Sequence, residues 1–321
     1  MHFSKHLIAA TSAALVVFPV PAQAQPAGSI RIVVPFEAGG GTDITARVLA
    51  QGLTTELGRQ VIVINRGGAG TKIGTDLVAK SPPDGQTLLY GSIGLAFQPA
   101  IFKELPYDVK RDLVQITTTG RQPYILAVGP SLPVKSVAEL IAAAKQKPGE
   151  RTFGTAGIGS GPHIASELLW STLGISVNHV PYKGTAPALV DLLGARIDMI
   201  FTTSSSLVPR IRAGEVRALG VSSPKRSAQV PDLPTIAEQG FPGYEYFTWT
   251  GIFARAGTAE AFQNTFAHAM ARKLAQPKVK ETLERDGLQP FPMSPKEAQR
   301  FYLREVERWP AVIRKSGIQP E

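Results

Sequence analysis

The feature that most constrains the fold is a buried strand, a glycine-rich turn and an amphipathic helix that follow one another over Ile30–Leu57. The strand is rich in β-branched residues, which is typical of a parallel strand covered on both faces. Three consecutive glycines, Gly39–Gly41, then allow a tight turn and the close approach of a small molecule to the backbone. The free N–H groups of the following helix would lie at the carboxyl end of the strand, which is a favourable place for an anion.

The residues also indicate where this helix starts, where it ends and which side packs in the core. Thr42 and Asp43 are suited to cap the helix, and Gly58 to stop it. A turn without any ligand remains an alternative, because no GK[ST] follows and Ile44 stands where a GxGxxG motif needs its last glycine. The predicted core face carries apolar residues at helical spacing: Ile44, Val48, Leu53 and Leu57.

A second strand, glycine-rich turn and helix occupy Arg151–Leu173, with the turn TAGIGSGPH at Thr155–His163. Strand and helix patterns alternate along the chain, which predicts an α/β fold with largely parallel sheets. Two helix starts could face each other across a cleft, and a dicarboxylate bridging them would favour the closed state. Further predicted features are separate strands at Leu113–Thr118 and Tyr124–Val128, a helix over Thr71–Lys80 with Ile73 and Leu77 inward, and a capping box at Ser136-Val137-Ala138-Glu139.

The last part of the chain is mainly helical, and it cannot easily pack on the second α/β unit alone. We therefore expect the chain to return and complete the first unit. Two crossings, near Arg121–Leu126 and Tyr246–Ile252, would form a hinge. The predicted layout is domain 1 over residues 25–123 and 250–321, domain 2 over residues 124–249, and a ligand cleft between them.

The N-terminus has the order of a secretory signal peptide: a basic start at Lys5, an apolar stretch over Leu7–Phe18 and an A-x-A site ending at Ala24. We predict that residues 1–24 are removed after Ala24 and that the protein is exported to the periplasm. The mature chain would then have 321 minus 24, or 297, residues. No second apolar stretch of about 18 residues is present, so we expect a soluble chain, and we expect a monomer.

Composition excludes several classes of function. The chain has no cysteine, which removes disulfides, thiol catalysis and cysteine–zinc sites, and its 43% hydrophobic residues can supply a core. The net charge of +9 falls to +8 when Lys5 leaves with the signal peptide. Basic residues are interleaved with acidic ones, which gives a mild bias towards anions. Nucleic acid is not an expected partner, because there is no basic run and no aromatic platform.

An exported hydrolase is the main enzymatic alternative. It would need a G-x-S-x-G motif, and Gly159-Ser160-Gly161 lacks the right spacing. Two of the five histidines, His2 and His6, lie in the signal peptide, and the other three show no metal-binding spacing. We therefore expect no enzymatic activity, no cofactor and no metal site.

Several residue strings resemble the Bug/TctC family, the extracytoplasmic solute receptors of tripartite tricarboxylate transporters. They occur in order along nearly the whole mature chain. The strings are PFEAGGGTD (Pro35–Asp43), INRGGAG (Ile64–Gly70), SPPDGQTLL (Ser81–Leu89), GTAGIGSGPHIASELL (Gly154–Leu169), VPYKGTAPAL (Val180–Leu189), LPTIAEQGFPGYE (Leu233–Glu245) and WTGIFARAGT (Trp249–Thr258).

The resemblance implies a two-domain periplasmic binding protein of the type II, Venus-flytrap fold, with its ligand in the cleft between the domains. Such a receptor captures a small carboxylate, here a di- or tricarboxylate or an aromatic carboxylate, and delivers it to membrane permease subunits. The alternative is a receptor that presents the bound carboxylate to a membrane sensor without transport. Gene neighbourhood would separate these two functions.

The resemblance also implies that main-chain groups and ordered waters near the two glycine turns hold the carboxylate, without an arginine. Asp43 is alternatively a helix cap, His163 a residue of the helix start, Tyr182 a packed aromatic and Asp198 a structural residue that orients loop amides. The predicted ligand-binding residues are Ala38, Gly39, Gly40, Gly41, Thr42, Asp43, Ser92, Thr155, Gly157, Ser160, Gly161, His163, Tyr182, Asp198 and Thr202.

Three places depart from the family pattern. Glu37 would repel an anion if it faced the cleft, so we expect it to point to solvent. Lys72, at a helix start, could supply an additional cation. Thr202-Thr203-Ser204 stands where acidic residues are common in the family. These departures affect the identity of the ligand more than its class.

Overall fold

The computed structural model describes residues 28–285, 287–315 and 318. The predicted signal peptide and its cleavage site lie outside these residues. Over the described residues the strands are β1 (Ile30–Val34), β2 (Val61–Asn65), β3 (Thr87–Ser92), β4 (Leu113–Val128), β5 (Thr152–Thr155), β6 (Asn178–Pro181), β7 (Met199–Thr203), β8 (Arg217–Val221), β9 (Phe247–Arg255) and β10 (Gln289–Pro290).

The same residues form ten α-helices, and two short 3₁₀ turns lie at Ala69–Thr71 and Ala237–Gln239. The helices are α1 (Gly41–Leu57), α2 (Lys72–Ala79), α3 (Gly94–Ile101), α4 (Val137–Gln146), α5 (Gly161–Leu173), α6 (Thr185–Leu193), α7 (Ser204–Arg212), α8 (Glu260–Ala275), α9 (Pro277–Arg285) and α10 (Pro295–Lys315).

The strands form one mixed sheet in the order β2-β1-β3-β9-β4-β7-β5-β6, and β8 and β10 also pair with β4. The groups β1–β3 and β5–β7 are internally parallel, whereas β9, β7 and β8 run antiparallel to β4. We call β1, β2, β3, β9, β10 and the start of β4 the first half of the sheet. The second half contains β5, β6, β7, β8 and the end of β4.

Strand β4 belongs to both halves. It pairs with β9 as far as Pro123 and with β7 from Tyr124 onward. The prediction of two separate strands, Leu113–Thr118 and Tyr124–Val128, was therefore wrong. The residues between them are polar like a loop, but they keep their pairing with β9 through a register shift between Thr118 and Gly120. The exact domain boundaries given above stay a prediction.

The predicted core face was right for most of α1 and wrong for α2. In α1, Leu53 is buried and Val48 and Leu57 pack against the core, whereas Ile44 is 42% exposed. In α2, Ile73 and Leu77 are 51% and 36% exposed, and smaller residues take the core positions because this helix approaches its neighbours closely. A Cβ atom on Gly74 would lie only 2.8 Å from the carbonyl oxygen of Arg66. The buried faces contain Thr45, Ala46, Leu49, Ala50 and Leu53 in α1, and Gly74, Thr75, Val78 and Ala79 in α2.

The C-terminal helices pack on the first half of the sheet. Helix α8 lies against α1, and α10 lies against α3 and β4. The indole N–H groups of Trp249 and Trp309 both donate to Glu305 Oε2, at 2.9 and 3.0 Å. Trp249 is buried in the core, as expected. In the part of the chain that the structure describes, none of the helices combines the length and the apolar composition of a membrane span.

Candidate functional site

A narrow cavity lies where the strand ends of the two halves meet. Its volume is about 20 Å³, close to the smallest space that holds one water molecule. Both halves contribute to its wall, so the two halves are closed against each other around it. The cavity is lined by Phe36, Gly40, Gly41, Thr42, Asp43, Ser92, Gln122, Tyr124, Ala156, Pro162, Thr185, Thr203, Thr248 and Thr250.

The start of α1 forms one wall of this cavity. The prediction that Thr42 or Asp43 caps the helix was wrong, because Gly40 is the N-cap and it offers no side-chain hydrogen bond. The Gly41 N–H donates to Ser206 Oγ at 3.1 Å, across the cleft. The N–H groups of Thr42 and Asp43 have no hydrogen-bond partner within the described residues. The helix therefore presents two unpaired donors at its positive end.

The Asp43 side chain is held on the first half of the sheet. Its Oδ2 accepts from the Gly39 N–H at 2.9 Å and from Arg47 Nε at 3.1 Å. Its Oδ1 accepts from Asn65 Nδ2 at 2.9 Å and lies 3.0 Å from Arg47 Nη2. Burial alone would raise the pKa of Asp43, but the bonds from Arg47, Gly39 and Asn65 outweigh it and lower this pKa. Asp43 thus stays ionised and fixes the first glycine turn.

The second glycine turn is held by its own side chains. Ser160 is fully buried, and its hydroxyl accepts from the His163 N–H at 3.4 Å, as an N-cap of α5. The Gly159 N–H donates to His163 Nδ1 at 3.1 Å, and the Gly157 N–H donates to Thr155 Oγ1 at 3.2 Å. These hydrogen bonds hold the turn in its conformation without a contribution from a ligand.

The stacked imidazole rings of His163 and His179 pack next to this turn and contact it. The rings of His163 and His179 lie 4.3 Å apart, and His179 Nε2 is 2.6 Å from Thr155 Oγ1. Burial lowers the pKa of His179 to about 4. Burial, together with the nearby charge of His179, lowers the pKa of His163 to about 3. Both rings are therefore neutral at pH 7, and His163 Nδ1 is free to accept the Gly159 N–H.

A third helix start, that of α7, was not predicted from the sequence. Thr203 and three serines after it form a hydroxyl cluster, in which Thr203 Oγ1 lies 2.9 Å from Ser206 Oγ. The Ser205 N–H donates to Gln122 Oε1 at 3.2 Å. The signal was a hydroxyl-rich helix start followed by Leu207, Val208 and Ile211 at helical spacing, although Pro209 resembles a helix stop.

The two crossing strands supply the remaining polar wall, which the sequence reasoning also missed. Gln122 and Tyr124 come from β4, and Thr248 and Thr250 come from β9. The Tyr90 hydroxyl donates to Thr250 Oγ1 at 3.1 Å and fixes its position. The sequence feature that could have indicated these wall residues is the presence of polar residues inside otherwise apolar strands. Phe36 and Thr185 are further lining residues that were not predicted.

The predicted site residues fall into three groups. Gly40, Gly41, Thr42, Asp43 and Ser92 line the cavity. Buried residues next to it, in the second turn or at the end of β7, are Thr155, Gly157, Ser160, Gly161, His163 and Thr202. Ala38, Gly39, Tyr182 and Asp198 do not line it.

The four predicted residues that neither line the cavity nor lie next to it are found in other parts of the structure. Ala38 and Gly39 are exposed. The Tyr182 hydroxyl donates to Asp191 Oδ2 at 2.7 Å. Asp198 Oδ2 accepts from the Thr152 N–H at 2.9 Å, which fits the structural alternative. A role in ligand binding stays a prediction for all fifteen residues.

The two charged residues that departed from the family pattern lie outside the cavity wall. Glu37 is exposed, as expected, and its N–H donates to the carbonyl oxygen of Lys183 at 3.0 Å across the cleft. The ammonium group of Lys72 lies 4.0 Å from the centre of the Phe102 ring. Both Glu37 and Lys72 border an open groove outside the cavity, so neither charge meets a molecule inside it.

Comparison with known proteins gives a consistent result. The family model "Tripartite tricarboxylate transporter family receptor" matches residues 45–318. The chain is 38% identical over 307 residues to Protein BugT of Bordetella pertussis, and the match covers 94% of this chain and 93% of the relative. That family consists of solute-binding receptors.

Solved structures extend this similarity to the fold. The periplasmic binding protein BugD is 32% identical, with a TM-score of 0.89, and the match covers 92% of this chain and 100% of that one. Rpa4515 of R. palustris with adipate is 35% identical, with a TM-score of 0.88 and the same two coverages. MatC of Rhodopseudomonas palustris with bound malate is 31% identical, with a TM-score of 0.85, and the coverages are 90% and 99%.

These matches confirm the predicted α/β fold of a two-domain periplasmic binding protein. They also agree with the resemblance read from the residue strings. The chain belongs to the Bug/TctC family, the receptors of tripartite tricarboxylate transporters.

Proposed function

We propose that this protein captures a small carboxylate in the cleft between its domains and delivers it to the permease of a tripartite tricarboxylate transporter. The observation that carries the proposal is the uncapped start of α1, where Thr42 and Asp43 line the cavity and their N–H groups have no hydrogen-bond partner within the described residues. Unpaired donors at a helix start bind carboxylates well, and their interaction strengthens when water is excluded. The solved relatives that carry adipate and malate support the same ligand class.

Closure of the cleft belongs to the proposal. The bonds from Gly41 to Ser206 and from Glu37 to Lys183 join the two sides. The cavity is too narrow to admit a carboxylate from solvent in this conformation. A ligand therefore binds when the sides are apart, and it stabilises closure to the extent that it binds the closed state better. The permease would recognise that closed shape.

The location in the cell is part of the same proposal. The predicted signal peptide, the periplasmic binding protein fold and the receptor family together favour a protein that works in the periplasm. A permease in the inner membrane then meets the receptor on its outer face.

A thermal-shift screen with paired ligands tests the proposal. The panel contains succinate, adipate, malate, citrate and benzoate, each with its amide or methyl ester as the matched control. A ligand at 100 times its Kd adds about 2.7 kcal/mol to the free energy of unfolding, which raises the Tm by several degrees in a protein of this size. We expect at least one acid to raise the Tm and its uncharged partner to leave it unchanged. Equal shifts for acid and amide would contradict a site for anions.

A further inference from the structure

An open groove lies outside the cavity, where the two halves meet at the surface. Its volume is about 770 Å³, which is large enough for a segment of another molecule. The first half supplies one side from the loops after β1 and β2 and from α2 and α3, and the second half supplies the other from the loops after β5 and β6 and from α6. We call it the rim groove; its first side includes Glu37, Gly70 and Lys72, and its second side includes Ile158, Lys183 and Pro187.

Backbone contacts join the two sides of the rim groove. Gly70 abuts Ile158 so closely that a Cβ atom on Gly70 would collide with the Ile158 carbonyl oxygen. The Glu37 N–H donates to the Lys183 carbonyl oxygen at 3.0 Å, again from one side to the other. If the halves separate, these contacts are lost and the groove divides into two surfaces. A molecule that spans the groove therefore binds the closed protein better than the open one.

Exposed apolar side chains are found on both sides of the rim groove. Ile73 lies in the first turn of α2, next to the first side, and it is exposed. Val190 lies one turn after Pro187 in α6, next to the second side, and it is 61% exposed. Large apolar side chains that are exposed number four among the described residues: Ile44, Ile73, Leu77 and Val190. Single exposed apolar residues are ordinary, but a pair that faces the same groove from both sides indicates an interaction surface.

The charges along the rim groove are mainly positive. Lys72 and Lys183 line it, and neither has an ion-pair partner within the part of the chain that the structure describes. Glu37 is the acidic residue among its described lining residues. A second copy of this chain would bring the same lysines together, which disfavours a dimer through this surface.

A membrane protein offers a better match to these charges. Lysine and arginine are enriched in its cytoplasmic loops, so the loops on the other side of the membrane carry few of them. A periplasmic loop with apolar and acidic residues complements the rim groove in both polarity and charge.

We propose that the permease docks in the rim groove through a periplasmic loop with apolar and acidic residues, and that this loop contacts both sides at once. This inference rests on the proposed function and adds the surface through which the receptor delivers its ligand. Ile73 and Val190 provide the apolar contacts, one from each side, and Lys72 and Lys183 pair with the acidic residues. The open receptor separates the two sides, so it competes only weakly for the permease.

Uptake by whole cells tests this surface. The native gene is replaced by the parent gene or by Ile73→Gln, Val190→Gln or the control Ala142→Gln, which changes an exposed position in α4, away from the groove. The substrate is whichever of succinate, adipate, malate, citrate and benzoate gives the largest thermal shift, in radiolabelled form. We expect Ile73→Gln and Val190→Gln each to lower uptake at least fivefold with an unchanged Kd by calorimetry, and Ala142→Gln to match the parent.

The outcomes separate this inference from the proposed function. If the parent gene gives no more uptake than a deletion strain, the proposed function is overturned. If the parent restores uptake and either Ile73→Gln or Val190→Gln transports like the parent, docking on both sides is overturned while the proposed function stands. A weaker Kd in either variant would also overturn it, by assigning that residue to closure. A parent dimer in analytical ultracentrifugation that both variants abolish would place a second copy in the groove instead of the permease.

Two variants of Lys183 test the predicted charge of the partner. Lys183 lies outside the cavity, so Lys183→Glu and Lys183→Gln should bind the acid with equal Kd. We expect Lys183→Glu to transport at least fivefold more slowly than Lys183→Gln, because a negative charge in the groove repels an acidic loop. Equal uptake by the two variants would overturn the acidic character of the docking loop.

Discussion

At the scale of single residues, Gly41 controls how closely the two sides of the cleft approach. A Cβ atom at Gly41 would lie 2.7 Å from Ser206 Oγ and 2.9 Å from Thr203 Oγ1. A Cβ atom at this position would force these hydroxyls to move, so glycine allows the closest approach of the two sides. Alanine has a higher helix propensity than glycine, so it should not weaken the helix itself.

We therefore expect Gly41→Ala to weaken carboxylate binding at least tenfold, because overpacking of about 1–3 kcal/mol would act only on the closed state. Its free energy of unfolding without ligand should not fall. Gly52→Ala is the matched control, since Gly52 lies in the same helix and faces the flexible chain of Lys273. Calorimetry and chemical unfolding measure both quantities. If Gly41→Ala and the parent protein bound the carboxylate with equal affinity, Gly41 would not control closure of the cleft.

At the scale of elements, the second glycine turn depends on two neutral histidines. The ordinary pKa of histidine is about 6.5, whereas burial lowers that of His179 to about 4 and that of His163 to about 3. Between these values and 6.5 the unfolded chain binds protons that the folded protein does not. The contribution of these two histidines to the free energy of unfolding is therefore fully present above pH 6.5, and it decreases as the pH falls towards 4.

Each histidine would remove up to about 1.4 kcal/mol of unfolding free energy per pH unit in that window. His179→Gln can still bond to Thr155, and it should make the fall with pH shallower. Urea unfolding between pH 4 and 7.5 gives the free energies. An identical slope in His179→Gln would contradict a buried neutral His179.

The strands and helices that were predicted correctly share one property: their local pattern and their tertiary surroundings agree. The β2 strand, Val61–Asn65, and the capping serine Ser136 are examples, the latter accepting from the Glu139 N–H at 3.1 Å. The prediction of two separate strands in place of β4 failed because the polar middle of β4 pairs with β9, which lies about 130 residues later in the chain. The prediction of the core face of α2 failed because close packing leaves room for Gly74 but not for the larger Ile73.

The candidate site shows the same limit. The first glycine turn was identified from the sequence, because its glycines and the following helix are adjacent in the chain. Gln122, Thr203 and Thr250 come together only through the strand order, which local patterns do not contain. Asp43 was correctly suspected of a structural role, although it binds the Gly39 N–H of the preceding turn rather than capping α1.

At the scale of the whole molecule, strands β4 and β9 are the elements that cross between the two halves of the sheet. Their pairing continues as far as Pro123 and Phe247. If the cleft opens by rotation about these strands, the protein without ligand is more extended on average than the protein with ligand. We expect the radius of gyration from small-angle X-ray scattering to decrease when a saturating carboxylate is added. No change with the acid, or the same change with its amide, would argue against closure by ligand.

The position of a bound carboxylate tests the proposed site most directly. It can be measured in a crystal structure of the protein with the acid that gives the largest thermal shift. We predict a carboxylate oxygen within about 3.2 Å of the Thr42 or Asp43 amide nitrogen, with no lysine or arginine side chain in contact with it. A carboxylate bound elsewhere, or one paired with a basic side chain, would contradict the uncapped start of α1 as the anion site.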